Sequence, residues 1–130
     1  MALPIGPYFN TLGTKGVDMD MAWAGWCVDY FDPANLTVLL DGRTIHKTGN
    51  IDWAYFNNAA LNKQMDHAAS LTGTARANAY AALDREIMSQ YAPIAPFAIT
   101  NGVFFVSSRV RNYVFSSYFG EPDWNALTVR

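Results

Sequence analysis

Cysteine is almost missing from this chain: Cys27 stands alone among 130 residues. That excludes an intrachain disulfide framework and a cysteine-rich zinc site. Charge is also sparse, at 15% of residues, and nine Lys plus Arg against eleven Asp plus Glu leave a net charge of −2. With no basic excess to neutralise phosphates, nucleic-acid binding is not expected. No apolar run approaches the ~20 residues that a membrane helix needs. G-x-G-x-x-G, P-loop and G-x-S-x-G patterns are all missing, so nucleotide binding and serine-hydrolase chemistry have no support. His46 and His67 match no metal-ligand spacing, and no metal or cofactor is expected. Met1 to Gly16 has no basic n-region, no continuous apolar h-region and no cleavage site, and does not read as a signal peptide.

What the chain does have is apolar and aromatic. The hydrophobic fraction is 51% and the aromatic fraction 15%. That is enough to bury a core and too much for a disordered segment. The aromatic surplus beside so little charge implies a surface that is covered by something or binds something.

The pattern along the chain predicts an α/β protein. Leu3 to Pro7 reads as a strand end running into a turn, and Tyr8 to Gly16 as a short helix. Asp18 to Gly25 alternates, with Met19, Met21 and Trp23 on one face, and reads as a strand. Gly25 to Phe31 is an aromatic loop. Asp32-Pro33 is a helix start, with Leu36, Leu39 and Leu40 facing inward. Asp41 to Phe56 reads as loop. Asn58 caps a second helix carrying Leu61, Met65 and Ala68. Thr74 caps a third, Ala75 to Tyr91, with Tyr80, Leu83, Ile87 and Tyr91 inside and Arg76, Arg85, Glu86 and Gln90 in water. Ile94 to Thr100 and Arg109 to Phe115 read as strands, and the tail as loop. Repeats, low-complexity stretches and linkers are not evident.

Asp29, Asp32, His46 and Asp52 are the polar candidates for chemistry in the first half. Cys27, between Trp26 and Val28, reads as a small buried apolar residue. Asp29 lies three residues after Trp26 on a loop leaving an expected strand, where α/β proteins bind ligands. An acid in an aromatic setting is costly unless it gains a partner. Two readings stand side by side. Asp29 caps a turn or pairs with an Arg of the same chain; or it receives the ammonium group of a ligand, with Trp26 walling the same pocket.

At these residues a resemblance enters. Gly25 to Asn35, G-W-C-V-D-Y-F-D-P-A-N, resembles the G-W-x-x-D-x-x-D/E-P segment of the peptide-binding family of ABC-transporter solute-binding proteins. The likeness continues in order. Asp18-Met19 looks like the family's Y/F-D-M strand, and Tyr55 to Met65 like its aromatic-N entry to a helix. Arg76, Tyr80 and Leu83 fall in its R-x-x-x-Y-x-x-L pattern. Tyr91 to Pro96 resembles its A-P-x-x-P segment.

The resemblance implies that residues 1–130 are a partial solute-binding domain. They would form the C-terminal portion of a two-lobed, class II periplasmic-binding-protein-like fold, with strands returning towards the first lobe. It implies a non-catalytic function: extracytoplasmic binding of a small peptide or related amine-bearing solute for an ABC permease. The full-length family is periplasmic or anchored at the cell surface. By the resemblance Asp29 pairs with the ligand's α-amine, and Trp26 and Cys27 line the adjoining side-chain pocket. Some oligopeptide binders carry an Arg three residues before this Trp, where Trp23 stands here, so the partner of the ligand carboxylate stays open. The competing expectations are a small stand-alone enzyme using Asp29, Asp32 or His46 in acid–base chemistry, and a truncated, non-binding remnant.

Overall fold

The computed structural model describes residues 4–99, 102–116 and 120–130. They contain helices and short strands, a mixed class consistent with the α/β expectation, although the strands are few and only two residues long. The chain divides into two units: Met1–Gly25 with Asp32–Ala95, and Trp26–Phe31 with Pro96–Arg130.

The first unit is helical. Helix α1 covers Ile5–Leu12, four residues nearer the N-terminus at its far end than Gly16. Pro4 stands at its N-cap, so the segment expected to be a strand end instead opens the helix, with Pro7 in the first turn, where no N–H is needed. Gly13 ends it and touches Asn50: a Cβ on Gly13 would lie 3.0 Å from the Asn50 carbonyl oxygen. Asp18 to Gly25 forms no strand. Its alternation is present, but no described strand pairs with it, and Met21 and Trp23 are exposed.

Helix α2, Ala34–Thr37, runs into a 3-10 helix, Val38–Leu40. The Asp32 carboxylate accepts from the Ala34 N–H at 2.8 Å, as a capping acid should. Leu40 is buried and Leu39 packs against the core, but Leu36 is exposed, because so short a helix cannot hide all three leucines. A second 3-10 turn, Gly42–Thr44, breaks the expected loop, and Asp41 caps it through the Arg43 N–H. Gly42 is required there, since a side chain would collide with Asn57.

Helices α3, Ala59–Ser70, and α4, Gly73–Gln90, form an antiparallel-type hairpin around the main core. The Asn58 side chain accepts from the Ala60 and Leu61 N–H groups, as its position predicts. Leu61, Met65 and Ala68 of α3 meet Tyr80, Leu83 and Ile87 of α4, with Leu40 completing the cluster. Helix α4 starts at Gly73, two residues before the expected Ala75, with Thr72 rather than Thr74 at the N-cap and no side-chain bond there. Tyr91 falls just past the helix end and is half in water, its ring packing edge-on against Phe56 at 5.5 Å.

The second unit holds a hairpin in four pieces. Strand β1, Val110–Arg111, pairs antiparallel with β4, Thr128–Val129, and β2, Phe115–Ser116, pairs with β3, Glu121–Pro122. The tail is therefore not plain loop. The expected strand Arg109 to Phe115 is split at Asn112, which has φ 52°. The return arm holds the extra residues in a turn at Asp123–Ala126, closed by the Ala126 N–H on the Asp123 carbonyl at 3.1 Å. Ile94 to Ile99 forms no strand, and Thr100 lies outside the described residues.

Candidate functional site

The loop Trp26–Phe31 carries the residues singled out by the sequence. Trp26 is half-buried, and Cys27 and Asp29 are exposed. The exposure of Cys27 corrects the reading of it as a buried apolar filler. It follows Trp26 on an irregular loop with no helix or strand to turn its side chain inward. Asp29 has no hydrogen bond or ion pair among the described residues. Neither form of the self-satisfied reading, turn cap or intrachain arginine pair, is realised. The carboxylate stands in water with its acceptor sites open.

The next acid along the chain behaves differently. Asp32 belongs to the first unit and meets the Arg76 guanidinium through two bonds, Nη2 to Oδ1 and Nε to Oδ2, both at 2.8 Å. This planar two-point match is the geometry at which arginine surpasses lysine. The same guanidinium donates from Nη1 to the Ala68 carbonyl at 3.0 Å and the Ala69 carbonyl at 2.7 Å. Both carbonyls belong to the last turn of α3, that of Ala68 also accepting from the Leu71 N–H at 3.2 Å, so Arg76 adds to the capping of that helix. Its carbon centre lies 4.9 Å above the Tyr80 ring. The arginine and the Ala34 N–H hold the Asp32 carboxyl below its ordinary value. Arg76 is thus not a residue of the wet face of α4. It joins the entry of α2, the end of α3 and the start of α4. Asp32, committed to it, is not available as an acid–base group.

A second arginine fork occupies the 3-10 turn. Arg43 donates to both oxygens of Asp41 at 2.8 Å and to Asp66 of α3 at 2.5 Å. The guanidinium holds the Asp41 carboxyl below its ordinary range.

Asp52 has no such cation. It is fully buried, at 0% exposure. Its Oδ1 accepts from the Phe56 N–H at 3.3 Å, while Oδ2 has no partner. Burial pushes the carboxyl up to about 6, against the pull of the backbone N–H groups of Phe56, Tyr55 and Ala54. The sequence marked Asp52 only as polar. Its burial has no local signature, because it follows from how the 50–58 loop folds back.

His46 and His67 are exposed. Among the described residues no three His, Cys, Asp or Glu side chains gather to hold a metal ion. A cavity of about 90 Å³ is lined by Leu12, Met19, Met21, Trp53 and Tyr55 among others, and includes none of Trp26, Cys27 and Asp29. No described helix is long and apolar enough to cross a membrane. Compared with family models, curated proteins and solved structures, the chain matches none.

Proposed function

We propose that this chain is the C-terminal portion of a two-lobed solute-binding protein that delivers a small peptide or related amine-bearing solute to an ABC permease. Binding is non-catalytic and takes place outside the cytoplasm. The observation that carries the reading is Asp29: an exposed carboxylate without a partner, three residues after a half-buried Trp, in a G-W-C-V-D-Y segment. An ammonium group would give it a charge-assisted hydrogen bond of about 1.5–3 kcal/mol. Trp26 and Cys27 would line the neighbouring side-chain pocket. A peptide held in extended form by its own backbone groups would be read with little regard to sequence.

The open apolar residues of the second unit support the same reading. Ile99 and Phe105 are 97% and 96% exposed. Among the described residues, 96–106 make no backbone hydrogen bond. Unpaired backbone carrying bare apolar side chains is what a returning strand presents before the rest of its sheet is in place.

The test is substitution of Asp29 by Ala in the longest polypeptide that carries this segment in its native cell. Affinity for a free-amine tripeptide should fall roughly 10- to 100-fold. Unchanged affinity would remove Asp29 from the amine-binding role. An immunoblot with an antibody to residues 26–35 identifies that polypeptide. A band several times larger than 14.4 kDa fits the proposal, and a band at this size contradicts it.

A further inference from the structure

The buried carboxyl of Asp52 has no place in the proposed peptide site, and its surroundings suggest a different role. It sits in a loop, residues 50–56, stitched to the rest of the first unit by backbone and side-chain bonds. The Asn50 N–H and Nδ2 both donate to the Gly13 carbonyl, at 3.0 and 2.8 Å. Asn50 Oδ1 accepts from the His46 N–H. The Tyr55 hydroxyl donates to the Leu12 carbonyl at 2.8 Å. Tyr55 itself holds φ 51°, a left-handed conformation costly for a side chain of its size. Two bonds keep that turn closed, both accepted by Asp52: its carbonyl accepts the Tyr55 N–H at 3.2 Å, and Oδ1 accepts the Phe56 N–H. Phe56 packs against the main core, so the loop and the α3–α4 hairpin share this anchor.

We propose that the 50–56 loop is an acid-tightened latch, held more firmly when the Asp52 carboxyl is protonated than when it is ionised. A carboxylate here is buried with one oxygen bonded once and the other unbonded, which is expensive in a protein interior. Opening the turn lets water reach that oxygen. The charged group acting on it is Asp41, at the start of the 3-10 turn, and like charge opposes ionisation further. Arg43, the cation of that turn, is taken up by Asp41 and Asp66. His46 meets the loop through its backbone, and its imidazole is exposed.

The sign follows from the direction of the shift. Asp52 holds its proton more tightly folded than open, so closure is favoured most below the ordinary carboxylate value. That advantage is lost as pH rises to about 6, and little changes beyond.

Amide hydrogen exchange tests the latch. After correction for the intrinsic pH dependence, protection at the Phe56 and Asn50 amides should fall roughly tenfold or more between pH 4 and pH 7. In Asp52→Asn, which keeps the shape and removes the charge, protection at these amides should be flat with pH. In His46→Gln the fall should persist. A pH-independent protection in the unsubstituted chain would overturn the proposal even if Asp52→Asn did not fold. So would a fall that vanished in His46→Gln and survived in Asp52→Asn.

Discussion

Four acidic residues of the first half of the chain meet three different fates. Asp29 is open to solvent, Asp32 and Asp41 are clamped by arginines, and Asp52 is buried without a cation. The pH responses of Asp32 and Asp52 should run in opposite directions. The Arg76 guanidinium depresses Asp32, so its contribution is present above the ordinary carboxylate value and is lost as pH falls through the lowered one. Arg76→Lys should therefore lower Tm at pH 7 and much less at pH 2.5, measured by calorimetric melting. Lysine keeps the charge, but lacks the two-point fork and the bonds to the α3 carbonyls. An equal loss at both pH values would assign the role of Arg76 to its carbonyl bonds and packing rather than to Asp32. At Cys27 the exposed thiol should be alkylated readily in the native state, and a bound peptide should slow that reaction if Cys27 lines the pocket. The sequence singled out Asp29 because its motif is local. It did not reveal Arg76, whose partners lie 44 residues back at Asp32 and across the end of α3. It classed that arginine with the wet face because helical periodicity carries no knowledge of a neighbouring chain end.

At the scale of elements, α3 and α4 carry the stability of the first unit. Leu83 is 1% exposed at the centre of their contact. Leu83→Ala should cost about 2–5 kcal/mol in denaturant unfolding, while Leu36→Ala, on an exposed position, should cost well under 1 kcal/mol. Equal effects would place the core elsewhere. These helices were legible from sequence because an apolar stripe at helical spacing and an Asn cap are both written within a dozen residues. The strands were legible only in part: the expected Arg109 to Phe115 holds β1 and the first residue of β2. Asp18 to Gly25 has the alternation of a strand without a described partner, and alternation does not supply one. Glu121–Pro122 and Thr128–Val129 have partners without alternation. Pairing is a relation between distant segments, so it is visible only when both are in view.

At the scale of the molecule, the two units differ in kind. The first has a buried cluster of seven apolar residues. In the second, Pro122 is buried, whereas Phe97, Val103 and Phe105 face solvent. The 130-residue chain should therefore enhance the fluorescence of a hydrophobic dye in its native state. The proposed peptide site depends on recognition of a free ammonium group by the Trp26–Asp29 loop. The most direct measurement is calorimetric titration of the native polypeptide with trialanine and with its N-acetylated counterpart. The free-amine peptide should bind, and the blocked one should bind at least roughly tenfold more weakly. Equal affinity for the two would contradict it.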